Sequence, residues 1–254
     1  MLTRTGVVSL GIFVTALVGW ELFCRLSGVS ALIIPAPSEV AQVLWTGLVN
    51  GTLWPHVWIT TLEMLAGLGL GGLIGFGCGV LLAEVESIRR VLWPYIIASQ
   101  VIPKLALGPL FIVWFGFGMT STVVITALIC FFPLMENTLT ALHHTDPQKL
   151  ELFRVLRASR MQTLWRLKIP AGLPLILAGV RVAVVLALVG AVVGEFIGGR
   201  EGLGATIIAA QGMMDSTLMF AAFVLITVLG MIVYQATVLA ESLLLRNHPG
   251  GVHK

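Results

Sequence analysis

The amino-acid sequence predicts an all-helical integral membrane protein with six transmembrane helices and both termini in the cytoplasm. Composition is the first reason, because 57% of the 254 residues are hydrophobic, 11% are charged and the mean hydropathy is +1.00. Soluble domains carry about 25% charged residues, so long uncharged runs indicate a lipid environment. A soluble helical protein with a large core is the alternative, but these runs lack the polar outer faces that it requires.

The lengths of the apolar runs are the second reason, since a transmembrane helix needs about 20 residues. The first run resembles a secretory signal. It continues as GWELFCRLSG without a small-x-small cleavage site, so we expect a retained span. We expect one transmembrane domain over residues 1–254, and its predicted spans are residues 6–24, 58–83, 92–116, 119–137, 172–198 and 218–243.

The distribution of basic residues is the third reason. With the N-terminus in the cytoplasm, only Arg25 and Arg200 of the 15 Lys and Arg residues fall outside, while Lys104 and Arg181 lie within spans. Basic residues favour the cytoplasmic side of a membrane, so this bias predicts the orientation. The predicted cytoplasmic residues are Arg4, Arg89, Arg90, Lys149, Arg154, Arg157, Arg160, Arg166, Lys168, Arg246 and Lys254.

The connection between the first two spans predicts a short helix over residues 38–49, at the outer membrane surface. Ser38 can cap this helix at its N-terminus. Val40, Val43, Leu44 and Leu48 form one apolar stripe along it. We therefore expect an amphipathic helix that lies in the membrane interface.

Small residues recur at intervals of four in two of the spans. Such a row lets another backbone approach closely, which is how helices associate in lipid. We expect these rows to pack helices within one chain. Their members are Gly67, Gly71, Gly75 and Gly79 in the second span and Gly179, Ala183, Ala187 and Ala191 in the fifth.

Prolines interrupt the third span at Pro94, Pro103 and Pro109, and the fourth span at Pro133. Proline removes a backbone hydrogen bond and kinks a helix. Broken helices at membrane depth are tolerated where they are buried in protein or line a cavity. The prolines therefore favour a transporter over a simple anchor.

Much of the charge lies in one predicted cytoplasmic loop, residues 140–170. Asp146 and Pro147 are typical of a helix start, and Ser159 with Gln162 fits a capping box that begins a second helix. Pro170 and Pro174 are expected to limit this second helix before span five. Two interpretations compete: a basic hairpin resting on anionic lipid, and a docking element for a soluble cytoplasmic protein.

The loop resembles the signature of bacterial ABC importer permeases, which reads Glu-Ala-Ala, three residues, Gly, nine residues and Ile-x-Leu-Pro. Glu151 occupies the glutamate position, Leu152 and Phe153 the alanines, Arg157 the glycine, and 167–170 the final motif. The stretches IIPAPSEV (33–40), IPKLALGPLFIVWFGFG (102–118), ASRMQTLWRLKIPAGLPLILAGVRVA (158–183) and GEFIGGREGLGATI (194–207) are similar to the nitrate, sulfonate, taurine and bicarbonate branch.

The resemblance implies a type I importer permease fold and a non-catalytic role in the bacterial inner membrane. It implies a second copy of the chain, two ATPase subunits that bind ATP and Mg, and a periplasmic or lipid-anchored substrate-binding protein, with no nucleic-acid partner. The chain itself has no GxxxxGK[ST] phosphate loop. The residues that would contact the ATPase are Glu151, Leu152, Phe153, Arg154, Arg157, Ala158, Ser159 and Arg160.

The position of Arg157 leaves two possibilities open. A glycine there would suit a left-handed turn, so arginine either accepts strain on the order of 1 kcal/mol or the turn is not left-handed.

A secondary transporter or channel without an ATPase is the alternative function. It would be favoured by paired acidic residues at mid-membrane, which the span centres lack.

Three ionisable residues are candidates for the substrate pathway: Lys104, Arg181 and Glu195. Charges at membrane depth face a cavity or a partner, so a cationic pathway and a structural role are both open for the two basic residues. We expect a sulfonate-, taurine- or nitrate-like anion, with a vitamin precursor or an aromatic carboxylate as the alternative. No catalytic residues are expected, and Cys24, Cys78 and Cys130 lack metal-ligand spacing.

Overall fold

The computed structural model describes residues 4–246, with side chains from Val8 onward, and every regular element in this range is a helix. The all-helical prediction is confirmed. Lys254, which we assigned to the cytoplasmic side, lies outside the described residues. The helices are α1 (Arg4–Ser27), α2 (Pro37–Val49), α3 (Trp54–Glu84), α4 (Glu86–Val101), α5 (Gly108–Phe115), α6 (Met119–His143), α7 (Pro147–Val155), α8 (Arg160–Thr163), α9 (Ile169–Gly198), α10 (Leu203–Gly212) and α11 (Ser216–Leu245).

Five helical stretches in the described range are long and apolar enough to cross a membrane. They are 8–27, Trp54–Glu84, Met119–His143, Arg160–Gly198 and Ser216–Leu245, and a sixth span exists if the bent pair around residue 102 is one span. The chain is therefore a multi-span helical membrane protein.

The predicted third span, 92–116, is not one kinked helix. α4 ends at Val101, a 3₁₀ turn covers Lys104–Leu107, and α5 follows at 82° to α4. Ile102 is extended because the ring of Pro103 excludes the helical conformation from the residue before it. The break is thus a turn of about a right angle between two separate helices.

Neither Pro170 nor Pro174 ends the second loop helix, contrary to the sequence-based expectation. The helix runs without interruption from Arg160 to Gly198 over 39 residues. Leu164–Lys168 forms a π turn in which the Ile169 N–H bonds to the Leu164 carbonyl. A π turn widens the helix just where the proline ring would otherwise meet the preceding turn, so the helix continues through it.

The centre of the molecule is a three-helix unit in which α6 packs against both α3 and α9. Gly67, Gly71, Gly75 and Gly79 are all buried on α3. A Cβ atom on Gly75 would lie 2.5 Å from the Phe131 carbonyl oxygen, and one on Gly79 would lie 2.7 Å from that of Met135. The two backbones therefore approach so closely that no side chain fits between them.

The opposite side of α6 receives a second row of small residues from α9. Ala183, Ala187 and Ala191 are completely buried there. A Cβ atom on Gly194 would lie 2.8 Å from the Thr122 side chain. α6 is thus held between two rows of small residues, one from each neighbouring helix.

The connecting helix α2 begins one residue earlier than we predicted, and Ser38 is not its cap. Pro37 occupies the first helical position, and the Glu39 carboxylate accepts the Ala36 N–H at 3.2 Å. Ser38 instead donates its hydroxyl to Glu21 on α1 at 2.8 Å. The N–H of a serine inside the first turn has no hydrogen-bond acceptor within the helix, and the Glu21 carboxylate accepts the Ser38 N–H at 3.0 Å.

The glycine contact between α3 and α6 predicts that two alanine substitutions on α3 differ in their effect on stability. Gly75→Ala should lower the thermal stability of the purified protein by about 1–3 kcal/mol, because the added methyl meets backbone. Gly69→Ala is the matched control, since a Cβ atom there meets nothing within 4 Å. Thermal unfolding in detergent measures both, and equal melting temperatures for the two variants would contradict the packing argument.

Candidate functional site

The loop between α6 and α9 begins with a capped helix. The Asp146 carboxylate accepts the N–H of Gln148 at 2.9 Å, and Pro147 fills the first helical position. This aspartate satisfies one of the N–H groups that the first turn leaves unpaired. We call residues 146–170 the coupling segment.

α7 ends in a Schellman turn built on an arginine. The Ala158 N–H bonds to the Phe153 carbonyl and the Arg157 N–H bonds to the Arg154 carbonyl, both at 3.0 Å. Arg157 has φ = 52°, so the left-handed alternative is the one that occurs. A non-glycine residue pays for this conformation with about 1–2 kcal/mol of steric strain.

α8 begins with the capping box that the sequence predicts. The Ser159 hydroxyl accepts the Gln162 N–H at 3.2 Å, while the Gln162 side chain accepts the Ser159 N–H at 2.8 Å. Because α8 is continuous with α9, this box caps the long membrane helix itself. Residues 160–170 of the coupling segment are therefore a direct continuation of that helix, and α7 joins them through the Schellman turn.

An ion pair fastens the base of the coupling segment to the three-helix unit. Lys168 Nζ lies 2.6 Å from Glu84 Oε1 at the end of α3, and about four-fifths of each side chain is shielded from solvent. Leu164 and Leu167 are buried beside it. Shielding makes such a pair stronger than one on an open surface. The segment thus keeps a defined position relative to α3.

The rest of the coupling segment presents apolar side chains outward. Leu152, Val155, Leu156, Met161 and Trp165 are 56–72% exposed. Glu151 pairs with Arg154 of the same helix at 2.8 Å. Phe153 and Ala158 are half-buried, while Arg157, Ser159 and Arg160 are exposed. The coupling segment thus exposes both apolar and charged side chains, as protein interaction sites do.

The two basic candidates for the pathway have partners on different helices. Arg181 lies 3.0 Å from Glu241 of α11, and the glutamate side chain is mostly buried. The Lys104 ammonium lies 5.6 Å from the centre of the Phe132 ring on α6. A cation over an aromatic face is a favourable but modest interaction. Arg181 thus has a structural partner, and Lys104 keeps its charge free of any described carboxylate.

Glu195, the third candidate, joins helices instead of facing an open cavity. Its side chain is 1% exposed. Its Oε1 accepts the Thr60 hydroxyl of α3 at 2.6 Å, and its Oε2 accepts the Gly204 N–H of α10 at 2.5 Å. We call this group of contacts the Glu195 cluster. It connects α9, α3 and α10.

The Glu195 cluster satisfies the whole first turn of α10. Thr60 also accepts the Leu203 N–H at 2.8 Å, and His56 Nδ1 accepts the Gly202 N–H at 3.1 Å. The negative carboxylate lies at the positive end of the helix dipole. Gly202 has φ = 114° and a Cβ atom there would collide with the Glu195 carboxylate, so only glycine fits this position.

A second buried carboxyl group, Glu63, completes the cluster. It is 1% exposed and lies next to Glu195 and Thr122. Its Oε2 has no N–H or hydroxyl donor among the described residues. Two ionised carboxylates in contact would repel each other strongly, and one shared proton turns the contact into a hydrogen bond.

We did not predict from the sequence that His56, Thr60 and Glu63 form one group, although their spacing indicates it. They lie at intervals of four and three residues and continue into Gly67, the first member of the glycine row. Residues three and four apart share one helix face, so these polar residues had to face α6 or α9 together with the glycines.

No group of three or more His, Cys, Asp or Glu side chains that could hold a metal ion occurs among the described residues.

Comparison with known proteins now identifies the family. The binding-protein-dependent transport system inner membrane component family matches residues 67–242. The chain belongs to this family. The resemblance to ABC importer permeases of the sulfonate and taurine branch is therefore confirmed, and the chain is a transport permease.

Three relatives of the permease align over most of their lengths. The riboflavin transport system permease protein RibX of Chloroflexus aurantiacus is 39% identical over 91% of this chain and 86% of its own. The formylaminopyrimidine transport permease protein ThiX of Halalkalibacterium halodurans is 35% identical over 92% of both chains. The putative aliphatic sulfonates transport permease protein SsuC of Bacillus subtilis is 31% identical over 89% of this chain and 82% of its own.

A solved structure shares the fold of the permease. A chain of the MetNI methionine ABC transporter in an inward-facing conformation aligns with a TM-score of 0.68, at 20% identity, over 76% of this chain and 95% of that chain. At this identity the likeness concerns the fold alone.

The strained turn predicts that glycine at position 157 stabilises the permease. Arg157→Gly removes about 1–2 kcal/mol of strain and costs about 0.4–1 kcal/mol through the more flexible unfolded chain, so the net gain should reach about 1 kcal/mol. Arg154→Gly, inside α7, is the control and should destabilise by about 1 kcal/mol. Melting temperatures decide, and a lower value for Arg157→Gly than for the wild type would refute the prediction.

The Glu195 cluster predicts an asymmetry between its two carboxyl groups. Glu195→Gln places an amide N–H₂ against a hydroxyl or N–H donor and should cost about 1–3 kcal/mol. Glu63→Gln should be close to neutral, because its amide can donate to Glu195 and no described donor loses its acceptor. Unfolding of both variants in detergent tests this, and a larger loss for Glu63→Gln would overturn the assignment.

Proposed function

We propose that this permease is the transmembrane subunit of an ATP-driven importer in the bacterial inner membrane, working as a pair of identical chains. Two separate ATPase subunits, which bind ATP and Mg, engage the coupling segment, and a periplasmic or lipid-anchored binding protein delivers the substrate. One observation carries the proposal: the coupling segment runs directly into α9, is anchored at its base by Lys168–Glu84 and presents exposed apolar side chains.

The construction of the segment favours a protein partner over lipid. A hairpin resting on a membrane surface needs only basic residues and an apolar face. It needs neither a capping box on α8 nor a shielded ion pair that sets its position against α3. The proposed contact residues are Glu151, Leu152, Phe153, Arg154, Arg157, Ala158, Ser159 and Arg160.

The continuous helix from Arg160 to Gly198 supports a mechanical role for the ATPase. When ATP closes the ATPase pair, the coupling segments are drawn together as rigid bodies. Because α8 and α9 form one helix, this displacement reaches the membrane part of the chain directly. The spans then exchange between inward-facing and outward-facing arrangements, as alternating access requires.

A secondary transporter is the weaker alternative for this chain. Such a transporter would be favoured by paired acidic residues at the centre of the membrane spans. Glu63 and Glu195 are a buried acidic pair, but Glu195 lies in the last turn of α9. Both Glu195 oxygens also accept hydrogen bonds from other helices, so this pair serves to hold helices together.

For the substrate, the relatives favour a ring compound over a sulfonate. The riboflavin and formylaminopyrimidine relatives are 39% and 35% identical, whereas the sulfonate relative is 31% identical. We therefore place a heteroaromatic vitamin or vitamin precursor first. A sulfonate or taurine is the second candidate, supported by Lys104 as a cation without a described carboxylate partner.

Substitutions on the exposed face of α7 test the ATPase contact. Glu151→Lys and Leu152→Asp should each abolish ATPase co-purification and uptake while leaving membrane insertion and the melting temperature unchanged, since both residues are exposed. Arg246→Glu, an exposed residue beyond the end of α11, is the charge-reversal control and should retain both activities. Unchanged ATPase retention in both α7 variants would reject the assignment.

The substrate is tested on the binding protein that stimulates ATP hydrolysis by the reconstituted complex. We expect a flavin or an aminopyrimidine to raise the melting temperature of this binding protein and taurine or an alkanesulfonate to leave it unchanged. A shift with the sulfonates alone would select the second candidate and leave the importer proposal intact.

A further inference from the structure

A cavity of about 460 Å³ lies between the start of α4 and the end of α6, at the same end of the helices as the coupling segment. Ligand sites in proteins have volumes of about 300–1,000 Å³. α4 contributes no fully buried residue, so it leaves space beside α6. The polar part of the lining consists of Glu86, Arg89, Arg90, Thr140, His143 and His144.

The polar part of this cavity carries an excess of positive charge. Arg90 is paired with Glu86 at 3.0 Å. Arg89 has no carboxylate partner among the described side chains and instead lies 3.2 Å from His143 Nε2. His144 Nδ1 lies 2.8 Å from the Thr140 carbonyl, which makes this nitrogen a donor and orients the ring. A ligand here should carry negative charge.

The remaining residues that line the cavity are apolar. Trp93, Pro94 and Leu139 line it, and Trp93 packs on the buried cluster that includes Leu139. On the same helix, Val91 and Tyr95 are 64% and 71% exposed, as side chains that contact lipid are. Cationic and apolar lining residues together, at the end of membrane helices, match the headgroup and the first carbons of an anionic phospholipid.

We propose that this cavity binds a phosphate-bearing anion, and that its source is the headgroup of an anionic phospholipid. Arg89 and Arg90 bind the phosphate, and Trp93 supports the glycerol region. His144 precedes Asp146, the cap of α7, by two residues, so a bound lipid borders the start of the coupling segment. This inference goes beyond the proposed transport function and does not depend on which solute is carried.

Lipid retention by the full-length permease tests the proposal. The protein is purified in detergent with and without its ATPase, and the retention of phosphatidylglycerol is compared with that of phosphatidylcholine by native mass spectrometry. We expect phosphatidylglycerol to be preferred. Arg89→Gln and Arg90→Gln should each weaken this preference about fivefold, which is the effect of one basic residue near an anionic membrane surface.

Two further variants separate charge from other effects. Arg89→Lys should restore most of the preference, because a lysine keeps the positive charge that binds phosphate. Arg246→Gln removes an exposed basic residue outside the cavity and should not change the lipid preference. Co-purification of the ATPase with Arg89→Gln should be unchanged, so this experiment can fail while the importer proposal stands.

Three results would overturn the inference. Equal retention of both lipids would show that the cavity does not select an anionic headgroup. An equal rise in melting temperature with inorganic phosphate or glycerol phosphate, without added effect of lipid, would assign the cavity to a soluble anion. Loss of bound phosphatidylglycerol when the ATPase associates would show that the cavity is a protein contact.

Discussion

The close contact of α6 with α3 and α9 is the constraint on which the other features of this permease depend. In lipid no hydrophobic driving force brings helices together, so packing at short backbone distance must do so. The glycines of α3 provide that distance on one side of α6, and the alanines and glycines of α9 provide it on the other. If α6 stood farther from either neighbour, side chains at both ends of this unit would no longer meet.

Two polar contacts at opposite ends of the unit illustrate this dependence. At one end Glu195 of α9 reaches Thr60 of α3, although 135 positions separate them in sequence. At the other end Lys168, just before α9, forms an ion pair with Glu84 of α3. A buried or shielded hydrogen-bonded charge is favourable only when its partner is at the correct distance. The apolar contact therefore sets the spacing, and the polar contacts select one register of the helices.

Sequence patterns predicted what local chemistry determines, and they failed where distant parts of the chain decide. The apolar runs, the glycine row and the caps at Asp146 and Ser159 are local, and the structure has all of them. Pro103 is followed by an 82° break, whereas a π turn carries the helix through Pro170, so the presence of a proline did not distinguish the two outcomes. Glu195 has the appearance of a pathway residue in the sequence because its partner Thr60 lies on another helix.

The continuous helix from Arg160 to Gly198 has a geometric consequence. At 1.5 Å per residue its 39 residues extend about 58 Å, which exceeds the thickness of a bilayer core. A rigid rod of this length that tilts by about 10° about its midpoint carries its two ends about 5 Å in opposite directions. The end at Ser159 and the end at Glu195 belong to that one rod, so a single rotation moves both faces of the membrane domain at once, without a relay of side chains between them.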